Sequence, residues 1–240
     1  MQPHTVLGSR ASLPALRRAA PRRAAAQTAR AAPRADGSPP TQRFRSGSLD
    51  VEMPLAIVQQ LPLPLQGAVA ATVFSALFAC TYASCAGVAP ALESAFPDLF
   101  AFSRSTWPLV GGTFVLAGAA HFLAHDAFCT MMPQRGAWGL WNLPGSPSFH
   151  VNWTGVAEIL GGAGVIVGDA AFPGCREASA LGLFALTIAV TPANLYMWTH
   201  NAPGPGPAGT VIPPAGHAAR FALQVWLLSV LWGLAHPPLV

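Results

Sequence analysis

Apolar residues after position 66 fall into five segments, each close to the roughly 20 residues with which a helix crosses a bilayer. Short stretches rich in polar and turn-forming residues separate them. A soluble helical core would need charged helix faces, which these segments lack. The pattern predicts an all-α integral membrane protein with a four-helix transmembrane bundle and one additional N-terminal transmembrane helix. The predicted spans are 67–90, 106–124, 151–168, 177–199 and 217–236.

The first 48 residues have a different pattern, rich in Arg, Ala, Ser and Pro, with Asp36 as their only acid. Arginines interrupt every apolar run, which excludes the apolar core of a secretory signal. This composition predicts a disordered organellar transit peptide over 1–48, with a retained basic tail as the alternative. The Pro and Ser content favours a plastid over a mitochondrion. Residues 49–66, in which Pro62 and Pro64 block a long helix, are predicted to be an extended lead-in.

Composition supports the membrane prediction. Hydrophobic residues make up 52% of the chain and charged residues 9%, against about 25% charged in soluble domains. Nine of the thirteen basic residues precede position 46, and the rest of the chain has four arginines against eight acids. The net positive charge therefore comes from the N-terminal segment, and a basic nucleic-acid surface is not expected.

The alternation of five spans groups the connections on two sides of the membrane. The N-terminal side and the 125–150 and 200–216 connections share one side, here called face A. The 91–105 loop, the 169–177 turn and the C-terminus share the other. Arginines near the span ends divide evenly between the two faces, so the positive-inside rule gives no orientation.

A single carboxylate, Glu158, lies inside the third apolar segment. A charge at membrane depth costs roughly 2.5 to 3.5 kcal/mol, so it indicates a polar site with a partner. At 1.5 Å per residue, Glu158 is predicted to lie roughly 10 Å from face A. Polar residues of three other spans fall in the same half of the membrane, which predicts a cavity opening toward face A. The predicted polar cluster is His121, Glu158, Asn194, Arg220 and Gln224.

Within this cluster, Glu158 and Arg220 form the natural charge pair, and the other members are predicted hydrogen-bond partners. Pro192 leaves a carbonyl of the preceding turn without a helical donor, so the kink can contribute a polar group. The alternative is that the cluster consists of interhelical hydrogen bonds that hold the bundle together, each worth roughly 0.6 to 2 kcal/mol. Arg220 has its own alternative, as a snorkelling residue at a helix end.

The 125–150 connection combines Met and Trp residues with several turns. It is predicted to form a re-entrant or interfacial lid over the cavity. The alternative is an aromatic belt at the membrane boundary, where tryptophans are common. The candidate lid residues are Met131, Met132, Trp138, Trp141 and Trp153.

Motifs for metal, disulfide or nucleotide binding are weak. His121 and His125 lie one helical turn apart and could join Glu158 on a metal ion, but HExxH spacing is lacking, so no metal site is predicted. The four cysteines lack CxxC spacing and are predicted to be small buried residues. The glycines of GAGVIVG do not follow a βα turn, so they do not indicate a nucleotide loop.

In order and spacing, the segments AGAAHFL, MMP, TGVAEILGG, TPANLYM and RFALQ resemble the DoxX-like family of small four-helix membrane proteins, in its plastid-type branch. The resemblance covers about residues 106–236 and leaves the first span outside that unit. It implies the fold and a membrane location. Some relatives are linked to sulfur-compound oxidation with quinone as acceptor, or to membrane complexes that handle oxidative stress. The family's polar positions map to His121, Glu158, Asn194, Arg220 and Gln224.

The favoured function is a non-catalytic subunit or assembly factor of a chloroplast membrane complex, in the thylakoid or inner envelope. The mitochondrial inner membrane is the alternative address. No catalytic motif was identified, and an enzymatic role would be that of a quinone-linked oxidoreductase subunit. In that alternative a quinone is the cofactor, and Glu158 and His121 exchange protons with it; a small-solute carrier is the third hypothesis. The expected partners are the lipid bilayer and the other subunits of a membrane complex.

Overall fold

The computed structural model describes residues 39–98, 107–207 and 209–236, and the chain is mostly helical, at 72%. Most of the predicted transit peptide lies outside the described residues, so its assignment stays a prediction. Its last ten residues, 39–48, are described.

A two-stranded antiparallel hairpin begins the described chain. Strand β1, Thr41–Ser46, pairs with β2, Leu49–Pro54, with Phe44 opposite Val51. The disorder predicted for residues 41–48 is wrong, because they form β1 and the hairpin turn, with Phe44 buried. Apolar and polar residues alternate with the period of a strand along the partner β2, from Leu49 to Met53. Gly47 forms the turn at φ +49, a conformation that glycine adopts without strain.

Eight helices follow in the described residues, numbered along the chain. A π-helical turn, Ser84–Val88, joins the first two. Short 3-10 turns lie at Val58–Gln60, Ala137–Gly139 and Gly168–Ala170. The helices are α1 Leu63–Ala83, α2 Ala89–Ala95, α3 Trp107–Leu123, α4 His125–Met131, α5 Pro147–Val167, α6 Cys175–Ala189, α7 Thr191–His200 and α8 Pro214–Ala235.

Four helical segments of the described chain are long and apolar enough to cross a membrane. They coincide with the first, third, fourth and fifth predicted spans, so the prediction of a mostly helical chain with membrane-length apolar helices is confirmed. These candidate spans are Leu63–Ala95, Pro147–Ala170, Cys175–His200 and Pro214–Ala235.

The second predicted span ends in a sharp bend. Helix α3 has 17 residues and reaches the length of a span only together with α4, from which it is bent by 97°. Ala124, between them, has a non-helical conformation with φ −117 and ψ 35. We place α4 outside the spans, because it turns away from the axis of α3.

Glycines bring α3 and α5 into backbone contact. A Cβ atom on Gly118 would lie 2.5 Å from the carbonyl oxygen of Gly155, and one on Gly111 would lie 2.6 Å from that of Gly162. Real side chains do not approach backbone atoms so closely, so glycine is required along this seam. Because the seam holds the two backbones close together, side chains of α3 can contact side chains of α5.

The helices share an apolar core between α3, α5, α6 and α8. Val165, Ala180 and Leu231 are fully buried in it. Lipid or a neighbouring protein would cover the exposed apolar side chains on the outer faces of the spans. The buried residues of this spanning core are Phe114, Val165, Ala180, Leu183, Leu186 and Leu231.

A second apolar core lies outside the spanning core, in a unit that we call the cap. The cap consists of residues 41–60, 125–146 and 195–204. The indole Nε1 of Trp138 donates to Thr199 Oγ1 at 2.9 Å, and Asn201 Nδ2 donates to the Pro54 carbonyl at 2.9 Å. The hairpin, the 125–150 connection and the end of α7 therefore meet on one side, as the predicted alternation of spans requires. Ala70 of α1 packs into the same core, whose buried members within the cap are Phe44, Met53, Met131, Ala137, Trp138, Leu195, Tyr196, Met197 and Ala202.

Candidate functional site

The five residues of the predicted polar cluster form two groups. One group joins α3 to α5, and the other joins α6 and α7 to α8. We call the first the carboxylate pair, His121 and Glu158, and the second the amide network. The amide network consists of Thr187, Thr191, Asn194, Arg220 and Gln224.

In the carboxylate pair, His121 Nε2 lies 3.6 Å from Glu158 Oε2, and each residue is 8% exposed. The other ring nitrogen, Nδ1, lies 3.1 Å from the Val151 carbonyl and 3.2 Å from Thr154 Oγ1. The Thr154 hydroxyl lies 2.7 Å from the His150 carbonyl, to which it donates. A carbonyl can only accept, so the proton of a neutral His121 belongs on Nδ1.

That tautomer leaves the lone pair of Nε2 facing a carboxylate oxygen. Glu158 Oε2 is buried and has no hydrogen-bond partner among the described residues. Two acceptors that face each other need one proton between them, on either the imidazole or the carboxyl group. The pair can therefore hold and release a single proton, or accept a donor group from a ligand.

Glu158 lies further from the start of its helix than the sequence predicts. Helix α5 begins at Pro147, four residues before the predicted start at 151, so Glu158 is near the middle of its 21 residues. Eleven residues separate Glu158 from the start of the helix, or roughly 16 Å at 1.5 Å each. The ring of Phe128, from α4, packs on His121 with centroids 4.1 Å apart and covers the side toward the cap.

The amide network, by contrast, satisfies its own polar atoms. Gln224 Nε2 donates to Thr191 Oγ1 at 2.6 Å and to the Thr187 carbonyl at 3.2 Å. Gln224 Oε1 lies 3.5 Å from Asn194 Nδ2, and Arg220 donates to Asn194 Oδ1. Every residue of the network has a partner on another helix or in the adjoining turn.

The break between α6 and α7 supplies one of these acceptors. Helix α6 ends at Ala189 and α7 begins at Thr191, with Pro192 in its first turn. Besides the donor from Gln224, the Thr187 carbonyl accepts the hydroxyl of Thr191 at 3.0 Å. The carbonyl that lacks a helical donor because of Pro192 is that of Ile188, four residues before it, so the Thr187 acceptor belongs to the helix break and the predicted contribution of the proline stays a prediction.

The predicted ion pair between Glu158 and Arg220 is wrong. Glu158 faces His121, while Arg220 bonds to Asn194. The glycine seam accounts for the difference, because it presses α3 against the face of α5 that carries Glu158. Arg220, in the second turn of α8, is half-buried and donates to Asn194. A snorkelling arginine would instead have an exposed head group.

The predicted lid connection reaches the carboxylate pair through Phe128, which packs on His121, while the candidate lid residues lie in the cap or on α5. Met131 and Trp138 are buried in the cap core, and Met132 is half-buried. Trp141 packs edge-on against Trp138 with ring centroids 6.1 Å apart. The hairpin, which the sequence did not reveal, supplies the apolar side chains that enclose this loop.

The fifth predicted lid residue, Trp153, lies outside the cap core. Its side chain is 41% exposed on α5, and its Nε1 donates to His150 Nδ1 at 3.1 Å. Trp153 also lines a groove of about 380 Å³ between α5 and α6, together with Ala157, Gly161 and Leu183. Glu158 does not line this groove.

The alternative metal site of His121, His125 and Glu158 does not form. In the described residues, no three His, Cys, Asp or Glu side chains are placed to hold an ion. His125 instead lies in the cap, where its Nε2 is 3.1 Å from Ser148 Oγ. A cavity of about 320 Å³ opens beside these two residues.

Outside the spans, two carboxyl groups are held by good donors. Asp126 Oδ2 accepts the backbone N–H and the hydroxyl of Ser48, each at 2.8 Å, and these bonds lower the pKa of Asp126. Hydrogen bonds from Arg43 lower the pKa of Asp50 in the hairpin. Both carboxylates have the donors that Glu158 lacks.

Sequence reasoning missed the threonines that complete both groups. Thr154 lies one turn before Glu158 on α5, and Thr187 and Thr191 lie one turn apart before Asn194. Their spacing along a helix face was an available signal, because threonine hydroxyls in spans serve as interhelical hydrogen-bond partners.

Comparison with known proteins gives one match. Residues 110–235 match the model of a domain of unknown function, DUF8561. No curated protein matches the chain, and no solved structure does. The matched region runs from α3 to the end of α8 and contains both polar groups, whereas the hairpin and α1 precede it. The resemblance to the DoxX-like family stays a prediction.

Proposed function

We propose that this chain, which belongs to the DUF8561 family of unknown function, is a structural subunit or assembly factor of a membrane complex. In this proposal the region from α3 to α8 forms a DoxX-like four-helix transmembrane bundle, and α1 with α2 is the additional helix. A chloroplast membrane, addressed by the basic N-terminal segment, belongs to the same proposal.

The cap carries this proposal. Segments from the hairpin, α4, the following loop and α7 share one apolar core, so the cap is a folded unit with a defined surface. The buried polar groups of α6 to α8 bond to one another. Such a chain combines a folded cap, built from the hairpin, α4, the following loop and the last turns of the candidate span Cys175–His200, with a bundle held by its own hydrogen bonds, as a subunit that binds another protein needs.

Purification of the tagged full chain in mild detergent tests the proposal. A protein partner should co-purify in fixed stoichiometry, and charge reversal on the cap should weaken its retention. Arg135→Glu changes an exposed cap residue, and Gly112→Ala changes a position with open space on α3 and serves as the control. A chain that purifies alone, or a partner retained equally by both variants, would contradict docking through the cap.

A redox-associated subunit that interacts with a quinone is the second candidate, favoured by the unpartnered Glu158 Oε2 beside His121 Nε2. Reduction of a quinone to a quinol takes up two protons, and a buried pair that holds one proton can serve as donor. Quinone extracted from the purified protein, and its loss in Glu158→Gln, would support this candidate over the structural one. Protein that binds no added quinone would exclude it.

A further inference from the structure

A cavity of about 320 Å³ lies where the cap meets the spans. The end of β1 and the hairpin turn form one wall, α4 forms another, and the start of α5 forms the third. Its polar lining includes His125, Asp126 and Ser148, none of which the proposed function uses.

The atoms of this lining are ordered as in a nucleophilic serine site. Ser148 Oγ lies 3.1 Å from His125 Nε2. On the other side of the imidazole, Asp126 Oδ1 lies 3.9 Å from Nδ1. The serine and the carboxylate thus use opposite ring nitrogens, as general-base activation of a serine requires. At 3.9 Å the carboxylate acts on a protonated imidazole through its charge rather than through a hydrogen bond.

The surrounding structure holds the carboxylate in place. Ser48 donates twice to Asp126 Oδ2, which leaves Oδ1 toward His125. Cys129 Sγ lies 3.8 Å from both ring nitrogens, so it is not aligned with the lone pair of either one. Ser148, rather than the thiol, is therefore the group that His125 can deprotonate.

We propose that Ser148 and His125 form a site that hydrolyses carboxylic esters of amphiphilic molecules at the membrane boundary. Ser148 Oγ bonds to the acyl carbon, and its proton passes to His125 Nε2 and then to the alcohol that leaves. Water next attacks the acyl-serine, gives a proton to His125 and releases the carboxylic acid, which restores Ser148. Water is the only co-reactant.

The position of the cavity gives the substrate class. Ser148 lies in the first turn of the candidate span α5, and His125 lies two residues after the end of α3. Exposed apolar side chains adjoin both residues, with Leu123 at 89% and Phe149 at 59% exposure. An ester with an apolar tail can lie against these side chains with its carbonyl group at the cavity. The Ser148 N–H, among the first four that a helix leaves unpaired, is available to the developing oxyanion.

Labelling of the full chain in detergent micelles with a fluorophosphonate probe tests this site directly. The expected result is a phosphonyl adduct on Ser148 of the wild-type protein, located by peptide mass spectrometry. No adduct, or an adduct on another serine, would overturn the proposal. Because this result needs no variant, it does not depend on how substitutions affect folding.

Turnover of p-nitrophenyl butyrate supplies the second measurement. Ser148→Ala and His125→Gln should each lower the rate by about 100-fold or more, the usual contribution of general-base catalysis. Ser229→Ala, whose hydroxyl donates to the Val225 carbonyl within α8, is the matched control and should retain the wild-type rate. A rate that survives in Ser148→Ala would show that the activity belongs to another group. The site is separate from the proposed subunit role, so either can fail without the other.

Discussion

The carboxylate pair and the amide network lie in one bundle and differ in how their polar atoms are satisfied. Each side chain of the amide network has a hydrogen-bond partner. In the pair, by contrast, Glu158 Oε2 has none and faces a ring nitrogen that has no proton to give when histidine is neutral. A buried polar atom without a partner costs free energy, whereas a satisfied one stabilises the fold modestly.

The difference in hydrogen bonding distinguishes a structural role from a binding role, which the position of a residue in a span cannot do. Both groups consist of polar residues at membrane depth, and depth alone made them look like one site. Their hydrogen bonds assign the amide network to holding α6, α7 and α8 together. The carboxylate pair adds no comparable stability and is the better candidate for binding a proton or a ligand.

The largest effect is expected at the seam that creates the carboxylate pair. In Gly118→Ala the new Cβ would lie 2.5 Å from the Gly155 carbonyl oxygen, which is backbone and cannot rotate away. Overpacking of this kind typically costs about 1 to 3 kcal/mol. SDS unfolding should show that loss.

Gly112→Ala on the same helix is the matched control, because nothing lies within 4 Å of its Cβ position. It should leave the free energy of unfolding unchanged or raise it by up to about 1 kcal/mol, the helix preference for alanine. Equal losses in the two variants would mean that α3 and α5 do not touch along this seam.

A smaller loss is expected when the amide network is opened. Gln224→Leu keeps the size of the side chain but leaves the Thr191 hydroxyl and the Asn194 amide with fewer partners. Interhelical hydrogen bonds of this kind are worth roughly 0.6 to 2 kcal/mol, and SDS unfolding should show a loss in that range. Leu223→Ala, at an exposed position on the same helix, should change it less; a larger loss there would show that the network contributes nothing.

Asp126 is a carboxylate that, unlike Glu158 Oε2, accepts hydrogen bonds from good donors, the N–H and hydroxyl of Ser48. Its pKa is lowered by the bonds from Ser48, so they stabilise the docked hairpin fully above the ordinary carboxyl pKa. This stabilisation is lost as the pH falls through the lowered pKa, below the ordinary value of 3.8. Hydrogen exchange of the hairpin amides should therefore quicken, relative to that of the spans, at pH 3 compared with pH 6.

Asp126→Asn is the control for this pH effect. The amide oxygen still accepts from Ser48 but does not titrate in this range, so the acid-induced exchange should shrink. Hairpin exchange with the same pH dependence in both proteins would assign the effect to another group.

The sequence predicted the spans well and the contacts between them poorly. Long apolar runs with few charges identify 147–170 or 214–235 without any knowledge of neighbours. Depth also follows from counting residues, and it grouped Glu158 with His121, its neighbour in the structure, but also with three residues of the amide network. Rotation about the helix axis does not follow from counting, so the partner of Glu158 was predicted as Arg220 rather than His121.

Two other features were missed because their signals were short or hidden. The strand period of the hairpin is confined to residues 49–53, next to a basic segment whose composition dominated the interpretation. The seam is encoded by Gly111 and Gly118 on one helix and by Gly155 and Gly162 on another, each pair seven residues apart. Small residues at such spacing are common in spans, so only the contact itself distinguishes this seam.

The most direct test of the difference between the two groups is the unfolding free energy of Glu158→Gln in SDS, measured beside Gln224→Leu. The glutamine amide can donate to His121 Nε2 and removes the unpartnered carboxylate oxygen. We expect Glu158→Gln to be as stable as the wild type or more stable, and Gln224→Leu to be less stable. A loss in Glu158→Gln as large as in Gln224→Leu would contradict this expectation and make the carboxylate pair another structural bond.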